Sequence, residues 1–73
     1  MMTKYALLYA RLNVATLEQE TVVEYYAEGM LTAEQHETIA APRDKAERTM
    51  IMQGWKYVSA AGPGSILLKR EAE

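Results

Sequence analysis

Thr16-Leu-Glu-Gln-Glu-Thr-Val-Val-Glu-Tyr-Tyr-Ala-Glu-Gly29 is the stretch on which the fold turns. It opens with the pattern of a capping box, Thr16-Leu-Glu-Gln19, in which the Thr hydroxyl accepts from a free backbone N–H and the Gln reaches back. Leu17, Val22, Val23, Tyr25, Tyr26 and Met30 then recur at roughly helical spacing. Gly29 suits the left-handed position that ends a helix. These signals predict a helix over about 17–28. The β-branched pair Val22-Val23 supports the competing reading, a strand at 21–27. The choice decides whether the middle of the chain is a helical layer or part of a sheet.

Thr32-Ala-Glu-Gln35 repeats the capping signature and predicts a short helix over about 33–40, forming a helical hairpin with the first. Pro42 ends it, since proline disfavours helical geometry in the residue before it. Asp44-Lys-Ala-Glu47 starts a third helix, to about residue 53, closed by Gly54. Its inner face is Ala46 and Met50, with Ile51 or Gln53. Met50 and Met52 flank Ile51, so one of the two methionines points away from the core.

On either side of this segment the period is two. Ala6, Leu8, Ala10 and Leu12 alternate with Tyr5, Leu7, Tyr9 and Arg11, the pattern of a strand. Trp55 to Ala60 and Ser65 to Arg70 read as strands joined by Ala61-Gly-Pro-Gly64, with Pro63 and Gly64 suited to the centre of a type II turn. The tail Glu71-Ala-Glu73 is expected to fray. The expected fold is α+β: one domain, 1–73, with a three-stranded sheet in the order β-α-α-α-β-β. The C-terminal strand lies in the middle, the helices pack on one face, and the other face is open.

Composition bounds the function. Hydrophobic residues are 49% and charged residues 25% of the 73, the balance of a globular domain. There is no cysteine, hence no disulfide, thiolate metal site or cysteine nucleophile. The net charge of -2 argues against direct binding to nucleic acid. The longest apolar run, Tyr5 to Ala10, is far short of the ~20 residues of a membrane span. Met1-Met-Thr-Lys-Tyr5 lacks a secretory apolar segment, and a cytoplasmic location in a bacterial host is expected. So short a chain builds a thin core, for which a partner copy or very good packing must compensate.

Met52-Gln-Gly-Trp-Lys-Tyr-Val-Ser59, a glycine turn, and Ile66-Leu-Leu-Lys-Arg70 resemble a family of small bacterial and phage domains of unknown function. Gly54, Trp55, Val58, Ser59, Leu68, Lys69 and Arg70 match that pattern position by position. Lys56 stands where the family has an acid, and Tyr57 where it has leucine. With the opening strand Lys4 to Leu12, the resemblance covers about half the chain. It implies a phage or mobile-element origin and carries no activity with it. Val23 to Gln35 is similar to short helical proteins of phage tail-gene clusters.

No catalytic constellation is visible. His36 is the only imidazole and reads as a solvent-exposed helix residue. Ser59 and Ser65 lie at a strand end and in a turn, outside any nucleophile elbow. His36 with Glu34 or Glu37 has no metal-ligand spacing. Ala61-Gly-Pro-Gly-Ser65 lacks the lysine and helix of a phosphate loop. Two other sets stand out. Glu20, Glu24 and Glu28 recur every four residues on one face of the expected helix. They form a solvated stripe, or one neutralised by Arg43, Lys45 and Arg48, or a docking stripe for a basic partner. Tyr5, Leu7 and Tyr9 form an outward aromatic face of the kind that anchors interfaces. The expected function is a non-enzymatic protein-binding module without cofactor or metal. It would be a phage or mobile-element inhibitor, an anti-defence protein that occupies a surface of a host nucleic-acid-handling protein. The alternative is a self-associating structural component of a phage particle or tail, and a homo-oligomer is expected in either case.

Overall fold

The computed structural model describes residues 2–72. Its elements are β1 (Met2–Asn13), β2 (Glu18–Ala27), β3 (Gln35–Ile39), α1 (Arg43–Met52), β4 (Lys56–Ala60) and β5 (Ser65–Ala72). All strands pair antiparallel in one five-stranded sheet, in the order β3-β2-β1-β5-β4. β1 is the centre. α1 leads from β3 at one edge to β4 at the other and lies across one face.

The expected three-stranded sheet with three helices is therefore overturned. The segments expected as helices over about 17–28 and 33–40 form β2 and β3. The physical reason lies in β2 itself. Val23 and Tyr25 point to one side and Val22 and Tyr26 to the other, so the segment is apolar on both faces. A surface helix buries one stripe, whereas a strand puts Val23 and Tyr25 on the α1 side and sets Val22 and Tyr26 among the side chains of the neighbouring strands on the other. The apparent capping box is a hairpin turn. Asn13 Oδ1 accepts the N–H groups of Ala15 at 3.0 Å and Thr16 at 3.3 Å, an Asx turn. Leu17 follows in the left-handed region, φ 59°, and its N–H reaches Asn13 O at 2.7 Å. Gly29, φ 84°, turns the chain toward β3 instead of ending a helix. The likeness of Val23 to Gln35 to helical tail proteins falls with the helices.

The third expected helix is present as α1. Pro42 takes the N-cap position with extended geometry and no side-chain cap, and Asp44 sits in the first turn, where it faces the positive end of the helix dipole. Ala46 and Met50 are buried, whereas Ile51 and Gln53 are exposed and Met52 points out at 87%. Gly54, φ 100°, reverses the chain, and the Trp55 N–H returns to Met50 O at 3.1 Å. At the other end of α1, the Thr21 hydroxyl donates to Ala41 O at 2.8 Å, tying the incoming loop to β2.

The core lies between α1 and the sheet. Ala6 and Leu8 of β1, Val23 of β2, and Ile66 and Leu68 of β5 meet Ala46, Met50 and Trp55. Small residues at Ala6 and Ala46 let the helix come close to the central strand. Ala10 and Leu12 continue the same side of β1 but are exposed. β5 pairs with β1 only as far as Tyr9↔Ser65, and β3 pairs with β2 only from Thr21, so residues 10–20 project as a two-stranded arm. The β4–β5 connection is the turn read from its residues: Ser65 N–H meets Gly62 O at 3.1 Å, with Pro63 and Gly64 between. The tail does not fray as expected: Glu71 and Ala72 continue β5, and Glu73 lies outside the described residues.

Candidate protein-interaction face

Among the described residues, no other element covers the sheet surface opposite α1. Residues directly opposite one another on paired strands share a face, so the registers place its side chains in rows. One row runs Tyr26, Tyr5, Lys69, Lys56. The next runs His36, Glu24, Leu7, Leu67, Ser59. A third runs Thr38, Val22, Tyr9, Ser65, and toward the projecting arm Glu20 stands beside Arg11. Leu7 and Leu67 at the centre are half-buried, and Val22 is buried.

Two sets that the sequence presents separately, the Tyr5/Leu7/Tyr9 face and the glutamates, thus meet on one surface. The spacing of four that suggested a helix stripe keeps Glu20 and Glu24 on one side of a strand equally well. Glu28 is corrected: it lies past the end of β2, in the turn, and is exposed. The expected neutralisation by Arg43, Lys45 and Arg48 does not occur at these sites. Glu20 is 8% exposed and pairs with Arg11, Nε to Oε1 at 3.0 Å, while Asn13 Nδ2 reaches Oε2 at 3.5 Å. Glu24 accepts from both neighbouring tyrosines, Tyr9 at 3.1 Å and Tyr26 at 2.6 Å. Arg43 turns to Asp44 at 3.2 Å. Val22, Tyr26, Leu67, Lys56 and Lys69 are members of the face that sequence reasoning missed. Alternation over Val22, Glu24 and Tyr26, read with period two, carries the signal for the first and third of these.

The tyrosines are held in their neutral form. Burial, then the hydrogen bond to Glu24, raises the Tyr9 hydroxyl above the usual tyrosine range. For Tyr26 the hydrogen bond to Glu24 leads and burial follows. On the helix side, burial and a hydrogen bond to Glu37 push Tyr25 up to about 12. A hydroxyl raised in the folded state stabilises the fold fully below its unfolded value, about 10, and loses that contribution as pH rises through the folded value. Thermal melts of the wild type are therefore expected to weaken between about pH 10 and 12. Tyr25→Phe removes part of that alkaline loss. Parallel profiles for the two proteins would contradict the role given to Tyr25.

The helix side also holds a cleft of about 370 Å³ between β3, the end of α1 and β5. Lys4 and Glu34 close on each other there at 2.6 Å, and Arg70 lies 5.0 Å above the Trp55 ring. Its charged groups are thus engaged, Lys4 with Glu34 and Arg70 with the Trp55 ring. His36 stands on an edge strand, not on a helix, opposite Glu24. Ser65 is three strands away from it, about 14 Å, beyond hydrogen-bond reach. Among the described residues, no group of three His, Cys, Asp or Glu side chains converges as metal ligands, and no helix is long and apolar enough to cross a membrane. Compared with protein-family models, curated proteins and solved structures, the chain matches none of them.

Proposed function

We propose that this chain is a non-enzymatic protein-binding module that acts by occupying a surface through its uncovered sheet face. The observation that carries the proposal is the gathering of Tyr5, Leu7, Tyr9, Val22, Tyr26 and Leu67 on one side of the sheet with no element over them. Aromatic side chains supply large contact area for little lost rotamer freedom, and tyrosines already hydrogen-bonded to Glu24 lose less still on docking. Glu24 suits a basic group on a partner, and Glu20, paired with Arg11, adds to the same acidic side. A phage or mobile-element inhibitor of a host nucleic-acid-handling protein would use them in that way.

A second reading, self-association, is favoured by a specific observation: the same face carries its own cations, Lys56 and Lys69. The core is also small, with few large buried side chains beyond Leu8, Met50, Trp55 and Leu68. Light scattering of wild type is expected to show a mass above the protomer that falls on dilution. Leu7→Lys is expected to remain a protomer with a melting temperature close to that of diluted wild type, because it puts a charge into an apolar contact. For the inhibitor reading, a stoichiometric host protein should co-purify with wild type and be lost with Leu7→Lys. A wild type that neither self-associates nor retains a Leu7-dependent partner would overturn the assignment of this face.

A further inference from the structure

We infer that two copies of this chain dock sheet to sheet with their strands crossing near a right angle, Lys56 and Lys69 of each copy reaching Glu20 and Glu24 of the other. The inference rests on the reading of the uncovered face as a docking surface and names its occupant.

The two acids and the two lysines of the face sit at opposite corners, and at the acid corner Glu20, 8% exposed, is already paired with Arg11 at 3.0 Å. Taking Leu7 as the centre, Glu20 lies one strand across on β2 and two rows toward the arm. Lys56 lies two strands across the other way and one row toward the opposite end. With strands about 4.8 Å apart and rows about 6.8 Å apart, Glu20 is roughly 5 Å across and 14 Å up. On the same scale Lys56 is roughly 10 Å across and 7 Å down. Lys56 and Lys69 stand directly opposite each other, which is unfavourable for a lone protomer. Among the described residues neither forms an ion pair.

Two identical faces meet about a two-fold axis lying in the interface. An axis along the strands carries Glu20 over the neutral Gly64–Ser65 end of β5. An axis across the strands carries it past the end of β2, toward Glu28 of the other copy. A diagonal axis exchanges across with up, and Glu20 then falls within about 5 Å, in the plane, of Lys56 of the other copy. Lys69 falls beside Val22, within a side chain's reach of Glu24. The same operation puts Leu7 on Leu7 and Tyr9 over Leu67, so the apolar centre is matched while the charges pair. A diagonal axis turns strand direction through 90°, one of the two ways in which sheets pack face to face, and facing sheets about 10 Å apart leave room for Lys–Glu pairs.

The test is a charge exchange read by light scattering. The variant K56E/K69E has acids at both corners and E20K/E24K has bases at both. Each alone is expected to have the protomer mass, and an equal mixture is expected to form a 1:1 dimer, because each of the four contacts among residues 20, 24, 56 and 69 is then between opposite charges. The absence of cysteine from the chain provides a second measurement on nearly native protein. Mixed Lys56→Cys and Glu20→Cys variants should cross-link to each other with a short bismaleimide, and Lys56→Cys alone should not. This arm decides the matter if E20K/E24K fails to fold. Dimers of either charge variant alone, or cross-linking of Lys56→Cys to itself, would overturn the crossing geometry. Loss of association in Leu7→Lys alongside a mixture that stays monomeric would overturn the geometry and keep the face. Association unaffected by Leu7→Lys, or a wild type monomeric at every concentration, would overturn both.

Discussion

Trp55→Ala is expected to leave the chain largely unfolded at room temperature, with a loss of about 3–5 kcal/mol. Trp55 is 5% exposed and closes the end of the core beyond Met50. Its ring stands 5.8 Å from that of Tyr25, centroid to centroid, and carries the Arg70 guanidinium at 5.0 Å. Truncation removes the largest apolar side chain of the core and leaves a void beside Met50 and Tyr25. It also strips Arg70 of its aromatic partner, although Arg70 Nη1 keeps its bond to Gln53 O at 3.3 Å. Domains are stable by about 5–15 kcal/mol, and one of this size falls toward the lower end, so the loss is comparable with the whole. Trp55→Phe, which keeps a ring there, should fold with a lowered midpoint. Urea titration followed by circular dichroism measures both. A cooperative wild-type-like transition in Trp55→Ala would show that the ring does not hold the core.

Leu8→Ala is expected to cost about 2–5 kcal/mol, while Leu7→Ala costs roughly 1 kcal/mol or less in the protomer. The two leucines are neighbours in the chain and differ in nothing but side. Leu8 is fully buried under α1 against Val23, Ile66 and Met50. Leu7 faces the uncovered surface and is half-buried, with Leu67 and Glu24 opposite it on the neighbouring strands. Urea midpoints taken at high dilution isolate the protomer. The order reverses in association: Leu7→Ala weakens it, and Leu8→Ala acts only through unfolding. Equal losses at the two positions would mean that both faces of β1 are packed within one chain.

Glu20 shows why part of the fold was legible and part was not. Its spacing to Glu24 is equally consistent with one helix face and one strand face, because four is close to one helical turn and is also an even number. Thr16 to Gln19 and Thr32 to Gln35 carry local helix-start chemistry, yet Asn13 uses the first for a turn and the second lies in bends leading into β3. Such local signals are worth a kcal/mol or so, less than the burial that β2 gains by lying between two strands.

The sequence by itself determined the elements whose stability is local. These are the alternation of β1, the Gly62-Pro63-Gly64 turn and its hairpin, and the helix after Pro42 with Ala46 and Met50 inward. It also determined that Tyr5, Leu7 and Tyr9 share one side of a strand, since a period of two leaves no choice. Only the tertiary structure decided the middle of the chain. There, apolar residues on both sides of β2 satisfy neither period on their own, and pairing with β1 and β3, its neighbours on either side in the chain, supplies the missing energy. That same pairing brought Glu20, Glu24 and Tyr26 beside Tyr9. It also placed Lys56 and Lys69 at the far corner of the face, an arrangement set by strand order, which no local pattern encodes.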